Sequence, residues 1–289
     1  MTDEENMQEP RYGGAAAVPP MRPQSLMLTF LGNYVLDRGI RVSSGSFIDV
    51  FERVGVSEQA TRSTLTRMVR RGLLHRQRSG RRMYFGLTTR SQEILKDGEA
   101  RIWRAGAVNL DWDGWWTLLG FSLPETWQRQ RHDLRSRLVW AGFGPLQNGL
   151  WIAPSKVDVT DLIGELETRV RVFYARPAHL TDIEQVIRDA YDLEELSCRY
   201  RDFLERWDRP HPLPHAPDDL ARKLCLLTEW LQIIRRDPRL PVEHLPGGWL
   251  AARAQQTFRE LHAAYERPAQ IVADAILDTV PGDDSHGAG

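Results

Sequence analysis

The sequence predicts an α+β chain in three successive parts: an N-terminal winged helix-turn-helix, a central ferredoxin-like βαββαβ domain and a C-terminal all-helical domain. Three observations predict it. Apolar residues recur at helical spacing on both sides of Gly55, strand and helix patterns alternate between Trp115 and Ala175, and from Ile183 onward the apolar pattern is helical throughout. The parts are expected over residues 22–106, 107–178 and 179–280, and the Gly-, Ala- and Pro-rich stretch 1–21 and the Gly- and Asp-rich stretch 281–289 hold too little apolar surface to order themselves. A chain of 289 residues is long enough for two or three domains.

Met27, Phe30, Leu31, Tyr34 and Val35 fall on one side of a first helix, and Phe47, Val50, Phe51 and Val54 at i, i+3, i+4 and i+7 make a second that ends at the Gly55 turn. Ser57 is the expected N-cap of the third, because its hydroxyl can take a free amide of the first turn. At about 100° per residue, Thr61, Thr64, Leu65, Met68 and Gly72 share one side of that helix and Gln59, Arg62, Ser63, Thr66 and Arg70 the other. Helix, Gly-containing turn and helix form the helix-turn-helix arrangement, whose second helix enters a DNA major groove. The stretches 73–78 and 81–87 then read as two strands around a Ser79-Gly80 turn, a wing with Arg76, Arg78, Arg81 and Arg82 crowded at its tip.

In the middle part, a strand from Trp115 is closed by Pro124, a helix runs to Ala141 and is stopped by Gly142, and two strands flank Gln147-Asn148-Gly149. A helix over about 158–168 and a strand over 170–175 complete the β-α-β-β-α-β order. Four helices follow, carried by Ile183 to Ala190, Leu196 to Trp207, Leu220 to Ile234 and Phe258 to Tyr265, with the Pro-rich piece 210–214 and the piece 237–248 as connections.

The formal charge of −1 conceals a segregation: residues 22–104 hold 16 Lys and Arg against 7 Asp and Glu, a balance of +9, whereas 105–289 hold 21 against 28, a balance of −7. The basic part is the one with the helix-turn-helix, and neutralising phosphates supplies much of any protein's affinity for DNA. Base edges are assigned to Glu58, Gln59, Arg62, Ser63 and Thr66, and phosphates to Arg67, Arg70, Arg71, Arg78, Arg81 and Arg82. Cys198 and Cys225 are the only cysteines, which excludes a disulfide framework or a four-cysteine zinc site and fits a reducing, cytoplasmic setting. No apolar run approaches the length that spans a bilayer, no Gly-rich phosphate loop or nucleophile elbow is present, and His211 and His215 lack zinc-ligand spacing. No catalytic residue, metal or cofactor is assigned.

Several phrases occur together in order: Arg22-Pro23-Gln24-Ser25, Gly55-Val56-Ser57-Glu58-Gln59-Ala60 into Leu65, Arg70-Arg71-Gly72-Leu73, Gly142-Phe143-Gly144 with Leu146, Gly149-Leu150-Trp151-Ile152-Ala153-Pro154, and Leu240-Pro241 with Leu245-Pro246 and Trp249. As an ordered set over roughly 22–268 they resemble the PaaX family of phenylacetate-catabolism repressors. The resemblance implies a GntR-like winged helix, a middle domain similar to the small CRISPR-associated endoribonucleases, and a helical end. It also implies a homodimer on a double-stranded operator, released by phenylacetyl-coenzyme A or a related aryl-CoA thioester. One departure is visible: the family usually turns on a Gly after the Leu-Thr that ends the wing, whereas here Leu87-Thr88-Thr89-Arg90 runs straight on.

The rival expectation is a metal-dependent nuclease built on the middle domain. The related endoribonucleases carry an acidic metal ligand at the end of the first strand, whereas here Asp111 and Asp113 precede that strand and Ser122-Leu123-Pro124 ends it. An aryl-CoA would sit between the middle and helical parts, where Arg176, His179 and Arg199 are conceivable partners, but the pocket is not assigned.

Overall fold

The structure is a computed structural model that describes residues 21–100, 102–103 and 107–282; the amino-terminal stretch 1–20 and the end 283–289 lie outside it. The chain is mixed α and β with two four-stranded antiparallel sheets. It begins with helix α1 (Pro23–Tyr34), strand β1 (Ile40–Ser43), α2 (Ser44–Glu52), α3 (Glu58–Arg70), the hairpin β2 (Leu74–Ser79) and β3 (Arg82–Leu87), and α4 (Thr89–Ala100). Ser57 caps α3 as expected, accepting from Ala60 N at 3.3 Å. The hairpin turn lies one residue later than the sequence suggests. Ser79 pairs with Arg82, so Gly80-Arg81 is the turn, and Gly80 sits in its first position at φ 58°, a conformation that suits the twist of paired strands. Where the sequence departs from the family pattern after the wing, Thr88 caps α4 instead, its hydroxyl accepting from Ser91 N.

The second sheet contains β4 (Trp116–Phe121), β5 (Gly144–Gln147), β6 (Leu150–Pro154) and β7 (Val170–Ala175) in the order β5-β6-β4-β7, with α5 (Gln128–Trp140) after the first strand. The helix expected over 158–168 is shorter: one α-turn, α6 (Thr160–Ile163), gives way to a 3-10 stretch at Gly164, whose φ is 48°. Side chains alternate across this sheet. Leu119, Trp151 and Ala153 join α5's Leu134 and Leu138 in one core, while Trp116 and Ile152 join Ile187, Leu196 and Leu240 in another on the opposite face.

Helices α7 (Ile183–Ala190), α8 (Leu193–Trp207), α9 (Asp219–Ile234) and the 26-residue α10 (Ala251–Ile276) follow, and then a strand that the sequence pattern does not reveal, β8 (Thr279–Pro281). It does not belong to the helical end. It pairs with β1 and completes the first sheet in the order β2-β3-β1-β8, so the expected tail begins inside a paired strand. The cores cross the expected boundaries too. Leu220 and Leu224 of α9 and Ala269 and Ala273 of α10 are fully buried among Leu26, Phe30, Phe47 and Phe51 of the first two helices. The other halves of α9 and α10 build a second core around Phe203, Trp207, Trp230 and Phe258.

Candidate nucleic-acid interface

Helix α3 divides as its sequence periodicity requires. Thr61, Thr64, Leu65 and Met68 are buried, and Glu58, Gln59, Arg62, Ser63, Thr66 and Arg70 are exposed. On the exposed face Arg62 Nε donates to Glu58 Oε1 at 2.7 Å, with both side chains more than half exposed. Such an i,i+4 surface pair contributes at most about 1 kcal/mol, so a base edge can replace it. Thr66 Oγ1 donates back to Arg62 O at 2.9 Å, a local bond on the exposed face.

The six arginines assigned to phosphates do not form one set. Arg67 is half-buried and donates to Thr64 Oγ1 at 3.1 Å, which lays it along the flank of α3. Arg71 reaches Gln24 Oε1 at the start of α1, and Arg70 is exposed. At the hairpin tip, Arg78 Nε donates to Gly80 O, Arg81 is exposed in the turn, and Arg76 stands opposite Phe85 in mid-strand rather than at the tip.

Arg82 meets a carboxylate. Its Nη1 lies 2.6 Å from Asp278 Oδ2, and the Tyr84 hydroxyl donates to the same carboxylate at 3.1 Å. The bond from Arg82 holds the Asp278 carboxyl below the usual carboxylate range. Asp278 is positioned by its backbone: its N–H donates to Ser46 Oγ at 2.8 Å and its carbonyl accepts from Ser43 N at 2.9 Å, and Ser43 is the N-cap of α2. A residue next to the carboxyl-terminal strand thus occupies an arginine of the wing. The sequence carries no signal for it, because a three-residue strand has too few positions to show alternation.

Elsewhere, Asp113 Oδ1 accepts from Trp115 N at 3.1 Å and closes the turn into β4. Arg176 and Lys156 both stack on Trp115. Among the described residues no three His, Cys, Asp or Glu side chains are grouped to hold a metal ion, and no helix is long and apolar enough to cross a membrane. Arg176 also borders an apolar pocket of about 240 Å³ between the second sheet and α7, with Trp116 and Val186 in its walls.

Three family models match the chain in succession: a PaaX-like protein model over residues 22–91, a PaaX central Cas2-like domain over 109–187, and a PaaX-like C-terminal domain over 191–275. The sequence is 28% identical over 256 residues to the transcriptional repressor PaaX of Escherichia coli strain K12, an alignment that covers 82% of this chain and 78% of that protein. In fold it resembles the uncharacterized protein Rv0674 of Mycobacterium tuberculosis, with a TM-score of 0.59 at 22% identity, covering 87% of this chain and 98% of the other.

Proposed function

The chain belongs to the PaaX family and is a transcriptional repressor of that type, and from this premise we propose how it meets DNA and what releases it. Residues 22–106 act as a winged helix, 107–178 as a ferredoxin-like domain and 179–280 as a helical domain, with β8 returning to the first. Helix α3 enters the major groove, with Glu58, Gln59, Arg62, Ser63 and Thr66 toward base edges, and the hairpin arginines lie on phosphates. The observation that carries this is the exposed, arginine-bearing face of α3, backed by a fully buried opposite face and flanked by Arg70, Arg78 and Arg81. Arginine in a bidentate contact with guanine is the commonest specific base contact, which makes Arg62 the strongest reader available.

Because one winged helix covers few base pairs, selective control calls for a homodimer on two half-sites. The effector is an aryl-CoA thioester such as phenylacetyl-CoA, the regulated genes serve aromatic catabolism, and the protein works in the cytoplasm without chemistry of its own. No feature of the second sheet favours the nuclease alternative, since Asp113 is committed to a turn. Selection of duplexes from a random pool, followed by titration with aryl-CoA thioesters, tests both halves. Enrichment of one motif, and its release by a thioester, are expected. Equal binding of enriched and random duplexes would remove the base-reading role.

A further inference from the structure

A cavity about four times the volume of the sheet pocket does not lie between the middle and helical parts, where the sequence leads one to expect an acyl-CoA. It is a cleft of about 1020 Å³ between the α2–α3 turn on one side and α8, the 208–217 connection and the start of α9 on the other. Its amino-terminal wall runs from Glu52 through Arg53 and Val54 to Ser57 and Ala60, so the first turn of the proposed recognition helix is itself part of the wall. Leu26, Leu213 and Pro214 supply apolar surface. A mostly apolar concavity of this size with a few convergent polar groups is the usual form of a site for a large organic ligand.

The polar groups have distinct states. Arg206 is committed, buried against Glu229 at 3.1 Å, and fixes α8 to α9. Arg209 is exposed and bonds only a neutral carbonyl, that of Glu205, with no carboxylate partner among the described residues. Arg53 is the bridge: its Nη1 reaches Asp218 Oδ2 at 2.8 Å, while its Nε is sealed from solvent without an acceptor. Asp218 is at the same time the N-cap of α9, through Ala221 N at 2.9 Å. The tie therefore joins the residue that caps α9 to the turn that launches α3, and it is incompletely satisfied. A ligand anion can take over Arg53 and complete its bonding, since arginine binds carboxylate and phosphate oxygens in paired geometry.

We propose that this cleft is the regulatory ligand site, taking an anion with a flat apolar body, and that its occupancy displaces the turn before α3. The apolar body lies on Leu213 and Pro214, the anionic groups reach Arg53 and Arg209, and loss of the Arg53–Asp218 tie lets the turn leave α9. Linkage then requires DNA to weaken the ligand by the factor through which the ligand weakens DNA. The site rests on the reading of the chain as an effector-released repressor; the coupling between cleft and α3 can be tested without an effector.

The test uses the full chain with Cys198→Ser and Cys225→Ala, carrying Pro214→Cys in the cleft or Ala178→Cys at the sheet pocket, each labelled with pyrene maleimide. Labelling at 214 should lower affinity for a selected duplex by about tenfold, within the ordinary range of allosteric coupling, at an unchanged melting temperature, and labelling at 178 should not. Ala216→Trp, which fills the same cleft without a label, should do the same. Unaltered DNA affinity in both cleft-filled proteins, or an equal loss from the label at 178, overturns the assignment. Phenylacetyl-CoA that still releases duplex from the cleft-filled protein overturns it as well, while leaving the effector reading intact. If no thioester acts on the unmodified chain but cleft filling lowers affinity, the thioester chemistry falls and the cleft stands.

Discussion

At the scale of single residues, two arginines of the proposed DNA face differ in what holds them. Arg62 is offered to solvent in an exposed pair with Glu58, weak enough for a guanine edge to replace in the proposed complex. Arg62→Ala should cost about 1–3 kcal/mol at one base-pair position and relax preference there, while affinity for other positions is kept. Competition among single-position variants of a selected duplex reads this, and a uniform loss at every position would mean that Arg62 only touches phosphate. Arg82 is held by the Asp278 carboxylate at 2.6 Å, with which a phosphate would have to compete in the proposed DNA complex. Because the Asp278 carboxyl is held below its ordinary range of about 4, the pair persists at neutral pH and is lost only as acid protonates that group. Asp278→Asn keeps an acceptor for the Tyr84 hydroxyl but removes the charge. It should raise affinity for all duplexes alike and steepen the salt dependence by about one counterion. Unchanged or weaker binding would show that Asp278 orients Arg82 rather than competing for it.

At the scale of elements, α3 is legible in the amino-acid sequence except at its end, where Gly72, expected on the buried side, is exposed and lies beyond the helix, which stops at Arg70. Its cap, buried side and exposed side all follow from spacing, since a helix places every third or fourth residue on one face. Ser57→Ala removes the acceptor for Ala60 N and should cost about 1 kcal/mol of stability, seen as a lower urea midpoint with an unchanged slope. No loss would mean that another group already satisfies the first turn. The short strands are harder to read. Ile40 to Ser43 and Thr279 to Pro281 are each too brief to show alternation, and their partners are remote in sequence. The hairpin is readable but its exact turn is not, because Ser79-Gly80 and Gly80-Arg81 both suit a tight turn and only pairing of Ser79 with Arg82 decides.

At the scale of the whole molecule, the proposed DNA-binding end shares its core and its sheet with the carboxyl-terminal elements. Its core includes Leu220, Leu224, Ala269 and Ala273 from α9 and α10, its sheet ends in β8, and the buried Thr228 hydroxyl bonds that of Thr29 at 2.9 Å. Leu224→Ala, at a fully buried position assigned no DNA contact, should cost about 2–5 kcal/mol through the cavity it leaves. A fragment of residues 21–100 should lack a cooperative thermal transition and the dispersed amide spectrum of a packed domain. A sharp melt in that fragment would show that the shared core is dispensable. Most helices, the segregation of basic charge, the exposed face of α3 and the family are written in local spacing or in short ordered phrases, whereas α4 is not foreseen and the helix expected over 158–168 is cut short at Gly164. That the carboxyl-terminal strand closes the first sheet, that Asp278 sits on Arg82 and that a cleft opens behind the α2–α3 turn emerge only once the chain is folded. Those features join residues as far apart as Ile40 and Pro281, and the contacts that select among such pairings arise from packing, which no periodicity within one segment encodes.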